Sequence, residues 1–192
     1  MKTYPLPVLL GGLALMLAAC ASPKTTPNVA QADGSLPTAQ TTTVLGQAPD
    51  FVLPTLAGDS LRLSELRGQI VVVNFWATWC APCLEEIPEL IALHDALNPH
   101  GLTVLGVAID EEGEVLVRPF AERLSITYPV LLDDGAVAES YGGVWALPTT
   151  YVIDPKGQIM QRVIGLFPVQ EMHLEFRKML DLPPVSTTAD LP

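Results

Sequence analysis

The run Ile70-Val71-Val72-Val73-Asn74-Phe75-Trp76 constrains this chain more than any other stretch. It is almost wholly β-branched or aromatic and does not alternate with polar positions. It therefore reads as a strand covered on both faces, which requires layers of structure above and below a sheet. A helix is predicted from Cys80 to about Leu97, and Leu102 to Ile109 is a second buried strand. Strand, helix and strand in that order imply a parallel pair joined by a right-handed crossover. Upstream, Phe51-Val52-Leu53 and Ser60-Leu61-Arg62-Leu63 flank Gly58-Asp59 as a short hairpin. Ser64 to Gly68 reads as one helical turn, with Ser64 as its cap and Gly68 as its stop. Downstream the pattern predicts a helix near Glu114 to Leu124, a strand at Pro129 to Leu132 and a short helix around Ala136 to Tyr141. Thr149 to Ile153 and Gln158 to Ile164 then form a hairpin across Asp154-Pro155-Lys156-Gly157, and Val169 to Leu180 closes the domain as a helix. Alternating strands and helices place the chain in the α/β class, as one domain over residues 46–181.

The ends differ in composition. Lys2 is the only early charged side chain, and the apolar run Leu6 to Ala19 is shorter than the roughly 20 residues that span a hydrocarbon core, so residues 1–19 read as a signal peptide. Leu17-Ala18-Ala19-Cys20 resembles the bacterial lipobox, which implies that Cys20 becomes the first mature residue and carries a diacylglycerol on its sulfur. Ordinary cleavage after Ala21 is the alternative, since Ala19-x-Ala21 also fits a small-residue site. Each buried methylene of an acyl chain contributes about 0.8 kcal/mol, so several chains make a stable anchor. Residues 20–45 are Ser, Thr, Pro, Ala, Gln and Asn with few charges, the composition of a disordered tether, and residues 182–192 read as a second disordered tail. The expected location is thus the bacterial envelope, facing the periplasm, on either membrane; Ala21 stands where inner-membrane retention often uses Asp. With 10 basic and 21 acidic residues, a net charge of −11, the chain lacks the clustered cations that bind nucleic acid or an anionic membrane surface.

The chemical signal is Trp79-Cys80-Ala81-Pro82-Cys83, where a buried strand turns into a helix. Two intervening residues bring Cys83 within bonding distance of Cys80 in one turn. Orphan N–H groups and the helix dipole stabilise a thiolate on Cys80, making it the nucleophile, while Cys83, one turn further in, serves as the resolving thiol. A static disulfide across so short a loop would stabilise little. Zinc would need His94 and His100 to converge with the two cysteines from along one helix. Covalent haem is excluded, because Leu84 stands where a histidine is required. His94, His100 and His173 read as surface residues, and Met160, Met172 and Met179 as packing. No metal ligand set and no cofactor are assigned.

Val73-Asn74-Phe75-Trp76-Ala77-Thr78-Trp79-Cys80-Ala81-Pro82-Cys83, then Glu86 and Pro88, then Leu147-Pro148-Thr149-Thr150-Tyr151-Val152-Ile153-Asp154 resemble the TlpA/ResA-like thiol–disulfide oxidoreductases. The resemblance covers roughly Gly46 to Leu180. It implies a thioredoxin-like fold with a central mixed sheet flanked by helices, a leading β-hairpin, and a central insertion, here Leu102 to Asp134. It places Pro148 as a cis-proline facing the dithiol and has Leu147 offer backbone groups to a substrate strand, with Trp79, Ala81 and Pro82 beside them. Trp76 and Trp79 are expected to flank the site, and Trp145 either lines the groove or fills core. In cytosolic thioredoxins a buried Asp occupies the place of Asn74 and assists proton transfer. In the resembled family that task falls to an acid three residues past the second cysteine, which is Glu86. On a helix, that spacing returns to the same face. A buried carboxylate there has a raised pKa and can exchange the Cys83 proton; an ordinary solvated Glu is the alternative.

The implied activity is reduction of disulfides in exported proteins, with apocytochrome c or copper-site cysteines as substrates and a membrane thiol donor restoring the dithiol. Two competitors are a peroxiredoxin-type peroxidase and a non-enzymatic copper-handling module. Ala48-Pro49-Asp50-Phe51 fits the peroxidase opening, but its Pro-x3-Thr-x2-Cys motif would put Pro and Thr where Val73 and Ala77 stand. No Met or His is placed clearly beside the dithiol to favour copper.

Overall fold

The computed structural model describes residues 45–183. The expected signal peptide, Cys20, nearly all of the tether and most of the tail lie outside the described residues. Strands β1 (Gly46–Gln47), β2 (Val52–Pro54) and β3 (Ser60–Arg62) precede β4 (Ile70–Trp76). Helix α1 (Ala81–Leu97) leads to β5 (Leu102–Ala108), α2 (Glu114–Leu124), β6 (Val130–Leu132) and α3 (Ala136–Ser140). The hairpin β7 (Thr149–Ile153) and β8 (Gln158–Ile164) and helix α4 (Val169–Met179) complete the domain. The sheet is six-stranded in the order β1-β8-β7-β4-β5-β6, with β4 parallel to β5 and antiparallel to β7. This is the mixed sheet of a thioredoxin-like fold, and β2 and β3 form the separate leading hairpin.

Every residue of β4 is buried, which is why the strand lacks a polar alternation. Its side chains divide by the period of two: Ile70, Val72 and Trp76 join the apolar cluster that includes α1, α2 and α4. Val71, Val73 and Phe75 join the opposite cluster with Leu53, Leu63, Val137 and Ala138. Asn74 shares the α1 side by the same parity, so the one polar residue of the strand faces the helix that carries the dithiol.

Gly106 lies opposite Asn74 in the β4–β5 register. A Cβ there would stand 2.8 Å from Tyr128 Cε2 and 3.1 Å from Trp76 Nε1, both in buried side chains that cannot yield freely. Gly106→Ala is therefore expected to destabilise the domain by about 1–3 kcal/mol, as overpacking does, read as a lowered urea midpoint.

Some local expectations are corrected. The turn after β3 is a 3₁₀ segment, Leu63–Leu66, with Ser64 inside it and not at its cap. Asp50 supplies the anchor instead, accepting from the Ser64 N–H and hydroxyl, both at 2.9 Å. His94 and His173 are buried, whereas His100 is exposed. His94 Nδ1 accepts from the Val104 N–H at 3.2 Å, and burial pushes its pKa down because it penalises the charged ring. His173 lies on the inner face of α4, and burial, helped by nearby Arg177, lowers its pKa too. Gly46–Gln47, taken only as the domain's first residues, add an edge strand to β8. At the other end Leu182 N–H bonds to Arg177 O at 2.9 Å and the Arg177 guanidinium donates to Pro183 O. Among the described residues no helix is long and apolar enough to cross a membrane.

Candidate active site

Cys80 is the N-cap of α1. Its extended backbone, φ −87 and ψ 99, ends the strand-to-helix turn, and its Sγ accepts from the Cys83 N–H at 3.3 Å. That N–H is one of the orphan donors at a helix start, and it stabilises negative charge on sulfur as any N-cap acceptor is stabilised. Pro82 falls in the first turn, where its missing N–H costs nothing. The two sulfurs are joined, with their Cα atoms 5.3 Å apart. Both cysteines are buried, Cys80 at 5% exposure and Cys83 at 0%, so what solvent reaches the pair reaches Cys80.

The loop before the dithiol is clamped from below. Buried Asp110, just past β5, accepts from the Thr78 N–H at 3.1 Å and from the Thr78 hydroxyl at 2.5 Å. This fixes the chain two residues ahead of Cys80. Sequence reading missed Asp110, since nothing local distinguishes it from the adjacent Glu111 and Glu112.

In front of Cys80 opens a cleft of about 380 Å³ lined also by Trp79, Ala81, Pro82, Ile109, Val144, Trp145 and Leu147. The Leu147–Pro148 peptide is cis; Leu147 lines the cleft and Pro148 is buried. Of the two indoles expected to flank the site, Trp76 is instead fully buried against Phe120, ring centroids 5.7 Å apart. Trp79 stands out at 70% exposure, and Trp145 lines the groove at 76% rather than filling core.

Glu86, three residues past Cys83 on α1, is a buried carboxyl, 3% exposed. Its Oε1 accepts from Asn74 Nδ2 at 2.6 Å and its Oε2 from the Phe167 N–H at 2.9 Å. Asn74 Nδ2 also donates to Thr150 Oγ1 at 3.0 Å, so the carboxylate on α1 is tied directly to β4 and to the approach to α4, and through Asn74 to β7. Burial raises its pKa to about 7, outweighing the two hydrogen bonds that favour the ion, with Glu89 a minor like charge. Cys83 and Glu86, three residues apart on α1, are both buried, and Asn74 is hydrogen-bonded to the carboxylate. The histidines take no part, and among the described residues no group of three or more His, Cys, Asp or Glu is placed to hold a metal ion.

This arrangement suits dithiol exchange. Cys80 thiolate attacks one sulfur of a substrate disulfide; a mixed disulfide forms and the other substrate sulfur leaves as thiolate. Cys83 gives up its proton to a base and attacks Cys80 Sγ, and the second substrate thiolate departs. The dithiol is oxidised by two electrons and the substrate reduced by two. A peroxidase would need a hydroxyl three residues before its cysteine; Ala77 is there, buried, and buried Val73 takes the place of the motif proline.

Known proteins agree with this chemistry. The sequence model of the AhpC/TSA family matches residues 44–162. The thiol–disulfide oxidoreductase ResA of Geobacillus kaustophilus is 40% identical over 131 residues, 67% of this chain and 74% of that protein. A thioredoxin-family thiol:disulfide interchange protein from Chlorobium tepidum superposes with TM-score 0.63 at 29% identity, covering 70% of this chain and 94% of that one. The pneumococcal exposed lipoprotein thioredoxin of Streptococcus pneumoniae superposes with TM-score 0.60 at 27% identity, over 68% of this chain and 99% of that one. The substrates are accordingly molecules that carry a disulfide. This chain belongs to the AhpC/TSA family and, within it, to the ResA-like thiol–disulfide oxidoreductases.

Proposed function

We propose that this oxidoreductase works as a reductase of exported proteins on the periplasmic side of a bacterial envelope, tethered through lipid on Cys20. The observation that carries the reading is Cys80 at the start of α1, its sulfur facing an open cleft, with buried Glu86 three residues past Cys83 as a carboxyl whose pKa, raised by burial to about 7, suits it to take the Cys83 proton. An oxidising compartment would otherwise hold the pair as the disulfide, so a membrane thiol donor restores the dithiol. Its substrates are exported polypeptides with oxidised cysteine pairs, such as apocytochrome c or a copper-site dithiol. The leucine-rich run before Cys20 and the polar tether after it support the anchor, and one structural neighbour is itself described as an exposed lipoprotein.

Thiol alkylation in growing cells tests the direction: Cys80 and Cys83 are expected to be mostly reduced. A pair that stays oxidised throughout growth would make the protein an oxidant. Cys20→Ala is expected to move the protein from the membrane to the soluble fraction, and membrane retention by that variant would remove the lipid from the reading.

A further inference from the structure

Trp145 stands where two concavities meet. It lines the 380 Å³ cleft with Cys80, and it also lines an adjoining trough of about 780 Å³, the two sharing Ile109 and Val144 as well. Its backbone lies in the turn that follows Gly142 and Gly143, both at positive φ, and its N–H donates to Gly143 O at 3.1 Å. An indole held at 76% exposure beside a nucleophile leaves much apolar surface in water, and its π face is open to an incoming side chain.

The trough gives that face a sign. Asp110 and Asp133 in its floor are buried and already engaged, Asp110 by Thr78 and Asp133 by the N–H groups of Val137 and Ala138. Glu111, Asp134 and Glu139 on its walls are exposed carboxylates, and among the described residues no Lys, Arg or His lines either concavity. Glu139 reaches the Trp145 loop: its Oε2 lies 3.8 Å from the point where a Cβ of Gly143 would stand. An exposed aromatic face backed by uncompensated negative charge suits a cation, which is drawn to the ring quadrupole and to the carboxylates alike.

We propose that Trp145 is a specificity-determining residue that favours substrate segments carrying Lys or Arg beside the reacting cysteine. The cleft admits the cysteine, the indole stacks on the neighbouring cationic side chain, and the trough carboxylates hold its charge. This rests on the reading of the protein as a reductase of polypeptide disulfides, and it adds which polypeptides react fastest.

Two peptides with the same disulfide, one flanked by Arg and the other by Glu, test it on the dithiol-reduced protein. The Arg peptide is expected to react about tenfold faster in kcat/KM, chiefly through KM, with the preference shrinking as salt rises. Trp145→Ala is expected to collapse the preference to within about twofold, Trp145→Phe to keep most of it, and Glu139→Gln to lower it in part. Equal rates on the two peptides in the wild type, or a preference that survives Trp145→Ala, would overturn the inference and leave the reductase intact. Failure to reduce either peptide, or a neutral small disulfide such as dithiodipyridine, would instead count against the reductase reading itself.

Discussion

Cys83→Ser is expected to abolish turnover while leaving the first chemical step in place, so that substrate accumulates as a stoichiometric mixed disulfide on Cys80. The reason lies in how the helix start divides labour. Cys80 owns the N-cap position and the N–H of residue 83, which a serine there still supplies. What is lost is the second sulfur, fully buried one turn inside and, among the described residues, the only other thiol. Cys80→Ser removes the nucleophile and is expected to give neither turnover nor a trapped species. Insulin reduction reads turnover, and intact-mass measurement reads the mixed disulfide. Release of substrate by Cys83→Ser at the wild-type rate would mean that an external thiol, and not Cys83, resolves the intermediate.

Glu86→Gln carries the other large effect, and its signature is in pH. The carboxyl titrates at about 7 in the folded protein against an ordinary 4.5. Burial thus favours the neutral form, and the difference is worth about 3 kcal/mol. For an acid with a raised folded pKa, this term is fully favourable below about 4.5, declines from there to about 7 and is flat above. The replacement amide does not titrate, so the variant's stability relative to wild type is expected to rise by up to about 3 kcal/mol between pH 4.5 and 8, measured by urea unfolding at both ends. That amide is accommodated if Asn74 flips, because Asn74 Oδ1 has no partner among the described residues and can accept from it. In the proposed role, Glu86 accepts the Cys83 proton only when ionised, so the wild-type resolving rate is expected to rise with pH through about 7. In Glu86→Gln that inflection is expected to vanish, with the step slowed by about 10²-fold at neutral pH. A variant that keeps both rate and inflection would remove Glu86 from proton transfer.

Much of this was written in local sequence, and the exceptions share a cause. Buried β4 announced itself because a strand covered on both faces shows no alternation of polar and apolar positions, Asn74 being its single polar residue. The spacing of Cys80, Cys83 and Glu86 follows from one helix and needs no knowledge of the rest of the molecule. The clamp of Asp110 on Thr78 spans 32 residues, and the partner of Glu86 Oε2 is a backbone N–H 81 residues away; a backbone donor has no residue type to read. His94 and His173 were placed at the surface from their type alone. Their burial depends on which face of α1 and α4 meets the sheet, and the mixed composition of those helices hides that. Trp145 shows the same limit, since exposure of an indole in a glycine-rich turn is decided by packing and not by its neighbours in sequence.

The Glu86 hydrogen bonds also set an order of events while the polypeptide is being made. Synthesis delivers Cys80, Cys83 and Glu86 together, but Thr150 and Phe167 follow by more than sixty and eighty residues, respectively, after Glu86. Until they dock, the carboxyl is an ordinary solvated acid and the two thiols form a simple vicinal pair with no neighbour tuned to neutral pH. A fragment ending before Phe167 would therefore possess both cysteines and Glu86 and still lack one of the two groups that bond the carboxylate. In this protein, thiol chemistry is acquired at the beginning of the domain and its control at the end.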